Sequence, residues 1–125
     1  MTADAQKILI IEDQREFAEL LQLRLDANGY AGEIALGGQQ GLQKAAELQP
    51  DLILLDIMMP GMNGLEVLRQ LQADELTRDI PVVMLTAKTD AKVVFEARRL
   101  GSKGFLAKPC QPADLLREVR QRIRR

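Results

Sequence analysis

Five polar residues stand at the ends of short apolar runs in this sequence. They are Glu12 and Asp13 after KILII, Asp56 at the end of LILLD, Thr86 in IPVVMLTA and Lys108 in GFLAKP. Three carboxylates that lie close together repel one another unless a cation neutralises them. Oxygen ligands without histidine or cysteine suit a hard ion such as Mg²⁺, which also recruits phosphate oxygens. A lysine and a threonine could hold further phosphoryl oxygens, which leaves one carboxylate to act as a nucleophile.

Asp56 is the candidate nucleophile of this set, because it follows four apolar residues and a Pro-Gly break soon exposes its side chain. The backbone carbonyl of Met58 could complete the shell of a metal ion. Each residue also has an ordinary explanation. Asp56 could open a turn, Asp13 could cap a helix, Thr86 could be a simple β-former and Lys108 a surface lysine. These explanations are weak jointly, because all the groups stand at strand ends that would border one crevice.

The composition excludes several other chemistries. The 125 residues are 46% hydrophobic and 28% charged, with a net charge of -1 that favours neither nucleic acid nor a membrane. Histidine is absent, and Cys110 is the single cysteine, so neither an internal disulfide nor a cysteine metal cluster is expected. No apolar run approaches the roughly 18 residues of a membrane span, and the first residues do not resemble a secretory signal. We therefore expect a cytoplasmic protein.

Strand-like apolar runs alternate with helical periods, which is typical of βα units and a parallel sheet. The predicted strands cover residues 7–11, 30–36, 52–56, 80–87 and 104–109. The predicted helices cover 14–28 and 38–49, a segment marked by Leu65, Leu68 and Leu71, a segment from a cap at Thr89 or Asp90 to Gly101, and a segment from Pro112 onward. In the first helix, Phe17, Leu20, Leu21 and Leu25 follow helical spacing.

Five strands and five helices predict a flavodoxin-like (βα)5 fold, an α/β doubly wound parallel sheet of order 2-1-3-4-5 in three layers. We expect residues 1–125 to form one domain. Ligands of such sheets bind at the carboxyl ends of the strands beside the switch point between strands one and three. The candidate residues all stand at that edge.

The sequence resembles response-regulator receiver domains of two-component signalling, of the kind seen in chemotaxis regulators. The motifs that carry the resemblance are ILIIEDQ, PDLILLDIMMPGMNGLEVL, IPVVMLTA and GSKGFLAKP, and they extend over essentially the whole chain. The resemblance implies that Asp56 is the phosphoacceptor. Its phosphoryl group would come from a sensor histidine kinase, a histidine phosphotransfer protein or a small acyl phosphate. The domain would then catalyse its own phosphorylation and dephosphorylation without being a metabolic enzyme.

The resemblance also implies roles for the remaining site residues. Mg²⁺ (or Mn²⁺) would be held by Glu12, Asp13, Asp56 and the Met58 carbonyl, and the phosphoryl oxygens by Thr86, Ala87 and Lys108. The Lys108-Pro109 bond would be cis. Thr86 would swing toward the phosphoryl group while Phe105, a phenylalanine where tyrosine is more frequent, turns inward by packing alone. Met58 and Lys88 would flank the attacking water, and we expect slow self-dephosphorylation because a methionine cannot orient that water.

The expected partners are a phosphodonor and a downstream effector protein or domain, with a possible homodimer through the fourth helix, fifth strand and fifth helix. We expect no membrane contact and no direct nucleic-acid binding by this domain. The last nine residues, REVRQRIRR, hold five arginines. A solvated basic helix end is the favoured interpretation, and the alternatives are docking to an acidic partner or a cut linker to an output domain.

Other functions fit the sequence less well. A degenerate receiver that acts only as a docking module should have lost part of the constellation. A flavodoxin-like protein that binds FMN needs a phosphate-cradling loop, whereas the loop after the first strand is acidic. A P-loop motif is absent, and Met58 stands where a phosphatase of similar architecture usually has a second aspartate.

Overall fold

A computed structural model of the chain describes residues 4–87 and 91–124. Over these residues the elements are β1 (Lys7–Ile11), α1 (Arg15–Asp26), β2 (Ala31–Ala35), α2 (Gly38–Leu48), β3 (Leu52–Asp56), α3 (Gly64–Ala73), β4 (Val82–Thr86), α4 (Ala91–Arg99), β5 (Gly104–Ala107) and α5 (Pro112–Arg122). All strand pairs are parallel, and the order is β2-β1-β3-β4-β5. The predicted fold and strand order are therefore confirmed. Among the described residues, no helix is long and apolar enough to cross a membrane.

Successive strand residues supply two separate apolar layers, because neighbouring side chains in a strand point to opposite faces of the sheet. Leu9 and Met84 pack in the layer under α2, α3 and α4, whereas Ile10 and Leu85 pack in the layer under α1 and α5. β3 and β4 are buried along their whole length. Burial on both faces explains why these strands are unbroken apolar runs in the sequence.

The observed strands are shorter than the predicted ones where a proline stands in the run. β4 begins at Val82 rather than Ile80, since Pro81 has no N–H to donate to the ladder. β5 ends at Ala107 rather than Pro109 for the same reason. The strand ends that carry the candidate residues are nevertheless where the sequence places them.

The helix starts differ in detail from the predicted ones. Gln14, not Asp13, is the N-cap of α1, and its side chain makes no capping hydrogen bond. Asp13 is therefore not used as a helix cap. Asn63 caps α3 by accepting a hydrogen bond from a first-turn N–H at 3.0 Å, and this cap was not predicted from the sequence. The predicted α4 caps, Thr89 and Asp90, lie outside the described residues.

The apolar stripe of α1 is narrower than its leucine content indicates. Ala18, Leu21 and Leu25 are buried and Phe17 is half-buried, but Leu20 is 41% exposed. Each helical residue is rotated by about 100° from the next, so Leu20 falls outside the stripe that contains Leu21. The apolar spacing of α1 correctly predicts the helix but assigns Leu20 to the wrong face.

Gly64 allows α3 to begin directly against the end of β3. Its N–H donates to the carbonyl oxygen of Ile57 at 2.8 Å, and a Cβ atom at this position would collide with the carbonyl oxygen of Asp56. Only glycine permits this close approach of two backbones. The loop between β3 and α3 therefore turns tightly beside the candidate nucleophile.

Candidate functional site

The structure places the five candidate residues at one edge of the sheet. Glu12 follows β1, Asp56 ends β3, Thr86 ends β4 and Lys108 follows β5, and these four strands are neighbours. Glu12, Asp56 and Thr86 are buried, whereas Asp13 and Lys108 are half-buried. The polar groups thus surround the end of the central strand rather than standing on separate surface turns.

Three carboxylates form a compact acidic cluster at this edge. One oxygen each from Glu12, Asp13 and Asp56 lies within 4.8 Å of the others. Glu12 Oε2 accepts a hydrogen bond from the Gln14 N–H at 3.0 Å, while the buried Glu12 Oε1 makes no hydrogen bond of good geometry. A cluster of three carboxylates with only oxygen ligands fits a hard divalent cation such as Mg²⁺.

The Lys108 ammonium lies inside the acidic cluster. Its Nζ atom is 2.9 Å from Glu12 Oε1 and 3.3 Å from Asp56 Oδ2. The contact to Glu12 is a close ion pair even though its angle is poor for a hydrogen bond. The Lys108-Pro109 peptide bond is cis. Lys108 therefore bridges two of the three carboxylates from a strand that is two positions away from β3 in the sheet.

Burial and charge act in opposite directions on the titration of this cluster. Burial raises the pKa of Glu12 from 4.5 to about 7, although the Lys108 ammonium and the Gln14 N–H oppose that rise. Burial also raises the pKa of Asp56, more than the Lys108 charge lowers it. For Lys108 itself, burial alone would lower the pKa, but Glu12 and Asp56 together raise it. The raised pKa keeps the Lys108 ammonium charged. A further cation beside Glu12 and Asp56 would favour their ionised forms.

Asp56 lies at the wall of an open cleft of about 380 Å³. The cleft is lined by Asp13, Gln14, Phe17, Asp56, Met58, Ala87, Lys108 and Pro109. Asp56 Oδ1 also accepts the Met58 N–H at 3.3 Å, which is the hydrogen bond expected if Asp56 opens a turn. The Met58 side chain, at the wall of the cleft, is 73% exposed.

The two remaining predicted residues fall in different places. Phe105 is half-buried on β5 and packs against the layer that contains Met84, its register partner on β4. It is therefore two strands away from Asp56, on the side of the sheet covered by α2, α3 and α4. Lys88 lies outside the described residues.

Gln14 and Phe17 belong to the site but were not predicted as site residues. Gln14 Oε1 accepts a hydrogen bond from Lys108 Nζ at 3.4 Å, and the centroid of the Phe17 ring is 5.0 Å from the same nitrogen. Their spacing could have indicated them. Gln14 and Phe17 are three residues apart at the start of a helix, so they lie on one face, and they come directly after the acidic pair Glu12-Asp13.

The charges at the end of the chain are largely used within the molecule. Arg122 lies 3.4 Å from Glu118, and an Arg124 guanidinium nitrogen donates to the Pro50 carbonyl oxygen at 3.3 Å. The backbone N–H of Arg124 also donates to the carbonyl oxygen of Asp51 at 3.2 Å. Arg122 and Arg124 thus contact residues of the domain itself, and docking of this end to an acidic partner stays untested.

Comparison with known proteins identifies the family. The family model of the response regulator receiver domain matches residues 8–120. The chain is 42% identical over 120 residues to the DNA-binding response regulator MtrA of Mycobacterium leprae, and 37% identical over 118 residues to the phosphate regulon transcriptional regulatory protein PhoB of Pseudomonas aeruginosa. These alignments cover 96% and 94% of this chain but 52% of each relative. The chain thus spans about half the length of these relatives.

Solved structures show the same architecture. The chemotaxis protein CheY4 of Vibrio cholerae is similar with a TM-score of 0.90 and 29% identity, over 94% of this chain and 98% of that one. A putative response regulator from Chloroflexus aurantiacus is similar with a TM-score of 0.88 and 30% identity, over 94% and 97% of the two chains. With a family match over most of its length, this chain belongs to the response regulator receiver domains, as its motifs predicted.

Proposed function

We propose that this chain is a phosphorylation-dependent signalling switch in which Asp56 accepts the phosphoryl group. The observation that carries the proposal is the position of the Asp56 carboxylate. It is buried beside Glu12 and Asp13, 3.3 Å from the Lys108 ammonium, and it forms part of the wall of an open cleft. A buried carboxylate with a purely structural role needs one cationic partner to neutralise it. In this cluster, three carboxylates lie together with the Lys108 ammonium, so part of their negative charge is not neutralised.

The phosphodonor is the phosphohistidine of a sensor kinase or histidine phosphotransfer protein, or a small acyl phosphate. One Asp56 oxygen forms a bond to phosphorus while the bond from phosphorus to the leaving group breaks. That bond is phosphorus–nitrogen in a phosphohistidine and phosphorus–oxygen in an acyl phosphate, and its electron pair remains on the imidazole nitrogen or on the carboxylate oxygen. Lys108 neutralises a phosphoryl oxygen, and Thr86 and the Ala87 N–H donate to the others. Mg²⁺ (or Mn²⁺), held by Glu12, Asp13, Asp56 and the Met58 carbonyl, would neutralise charge on the transferred group. The chain itself therefore supplies the nucleophile and its positioning.

The output of the switch is a change in the face formed by α4, β5 and α5. Thr86 moves toward the phosphoryl group, and Phe105 turns into the space that Thr86 leaves. Support comes from the parallel pairing of β4 with β5, which places Thr86 beside Ala107 and Met84 beside Phe105. Two packed arrangements of such side chains can convert a small shift into a discrete change of surface. This face would contact an effector protein or domain, or a second copy of the chain.

The relatives suggest what the switch controls. MtrA is named a DNA-binding response regulator, and the chain matches only about half of its length. We infer that an effector or output domain, and not this domain, carries any nucleic-acid binding. The near-neutral net charge of -1 is in keeping with that division. The cytoplasmic location and the single-domain extent over residues 1–125 remain predictions.

Phosphoryl uptake tests the proposal directly. Incubation with acetyl phosphate and Mg²⁺ should add one phosphoryl group, seen by intact mass, and should perturb the amide signals of Asp56, Thr86 and Lys108. Asp56→Asn should abolish uptake, whereas the exposed-loop control Asp79→Asn should leave it unchanged. A degenerate docking module predicts no uptake by the unmodified chain, and that result would overturn the proposal.

A further inference from the structure

The α1 helix and its N-cap contact Lys108 and the loop that carries it at three points. The Gln14 side chain accepts from Lys108 Nζ at 3.4 Å, and the Phe17 ring lies 5.0 Å from the same atom. Further along the helix, Arg24 Nη1 donates to the carbonyl oxygen of Cys110 at 3.2 Å. The last contact joins residues 86 positions apart and fixes the chain just after the cis bond.

These contacts lie on one stripe of α1. Positions 14, 17, 21 and 24 recur at intervals of three and four residues, which keeps them on one face of a helix. Leu21, in the middle of the stripe, is fully buried. At one end of the stripe, Gln14 and Phe17 contact the Lys108 ammonium. At the other end, Arg24 contacts the loop between β5 and α5.

Lys108 needs such support because its charge is carried on a flexible four-carbon stem. Glu12 and Asp56 attract the ammonium toward the sheet edge, at 2.9 and 3.3 Å. Phe17 and Gln14 contact it from the cleft, where solvent would otherwise surround it. The face of an aromatic ring attracts a cation without neutralising it, so the ammonium keeps its charge for a phosphoryl oxygen.

We propose that Phe17, assisted by Gln14, is a positioning residue that holds the Lys108 ammonium over Asp56 and thereby sets the rate of phosphoryl uptake. The inference rests on the proposed function, in which Lys108 neutralises a phosphoryl oxygen. Phe17 acts through Lys108 and does not itself touch the reacting atoms. Precise placement of a charge that acts in the transition state changes the rate more than the binding of the donor.

The contact itself can be measured on the unphosphorylated, metal-free chain. The side-chain protons of Lys108 nearest Nζ should show an upfield ring-current shift in the NMR spectrum. Phe17→Leu should remove that shift, and Phe17→Tyr should keep it, because only the tyrosine retains an aromatic face. Leu23→Ala is the matched control, since Leu23 lies on the same helix and is 66% exposed. The amide spectrum of each variant reports whether it is folded.

The consequence is measured as the initial rate of phosphorylation by acetyl phosphate at saturating Mg²⁺. Phe17→Leu should lower the maximal rate about three-fold, the order of a partly exposed cation–π contact. The acetyl phosphate concentration for half-maximal rate should stay nearly constant, and Phe17→Tyr should restore the rate. Gln14→Ala, at an exposed position that cannot disturb the core, should lower the rate to a smaller extent.

The outcomes separate this inference from the proposed function. If the unmodified chain takes up no phosphoryl group, the proposed function and this inference both fall. If it is phosphorylated but Phe17→Leu keeps the maximal rate or the Lys108 shift, only the positioning role is overturned. The positioning role is likewise overturned if Phe17→Tyr is as slow as Phe17→Leu, because the aromatic face would then be irrelevant.

Discussion

Magnesium binding should tighten about ten-fold when the pH is raised from about 6 to about 8. The cause is Glu12, whose burial raises its pKa from 4.5 to about 7. A carboxylate must lose its proton before it can serve as a ligand, so the metal competes with the proton for Glu12.

The magnitude follows from the fraction of Glu12 that is ionised. One unit below its pKa, about one-tenth of the groups are charged, so the apparent Kd is about eleven times its limiting value. One unit above the pKa, the apparent Kd is only about 1.1 times that value. The ratio is about ten, or about 1.4 kcal/mol. With an ordinary pKa of 4.5, the Kd would change by only about 3% over the same range.

In the absence of metal, the contribution of Glu12 to folding stability changes with pH in the opposite direction to magnesium binding. The pKa of Glu12 is higher in the folded chain than in the unfolded chain, so folding favours the protonated form. That stabilisation is fully present below pH 4.5 and is lost as the pH rises through about 7. Added Mg²⁺ should therefore restore more stability at high pH than at low pH.

Isothermal titration of Mg²⁺ into the chain at the two pH values measures the effect. Glu12→Gln, which cannot ionise, should bind Mg²⁺ more weakly and lose most of the pH dependence. The exposed control Asp79→Asn should behave as the unmodified chain does. A Kd that agrees within about two-fold at both pH values would refute the reasoning, since Glu12 would then be ionised throughout or would not be a ligand.

Three further predictions concern the same region. Met58→Asn should speed loss of the phosphoryl group from Asp56, because an amide can orient water where a thioether cannot; an unchanged decay of the phosphorylated mass would contradict this. Gly64→Ala should lower the free energy of unfolding by roughly 2 kcal/mol or more, measured by urea denaturation, since its Cβ would collide with the Asp56 carbonyl oxygen. Asn63→Ala should cost about 1 kcal/mol in the same assay through loss of the α3 cap, whereas Asn63→Ser should be nearly neutral.

Much of the fold could be predicted because the information is local. The unbroken apolar run from Leu52 to Leu55 indicates a strand buried on both faces, and the repeated switch to helical spacing indicates parallel crossovers. An error arose where one residue type has two uses. Leu20 has the hydrophobicity of a core residue but lies outside the buried stripe. For Asp13, which is predicted as a site residue, only the alternative of a helix cap is wrong, since Gln14 is the N-cap.

The sequence by itself determined the order of the elements and the set of strand-end residues, since both depend on periodicity and on neighbours along the chain. The tertiary structure decided which groups meet. Lys108 contacts Gln14 across 94 positions, and no local pattern encodes that distance. Burial also comes from packing of the whole sheet, and it gives Glu12 a pKa of about 7 where its sequence neighbours predict an ordinary acid.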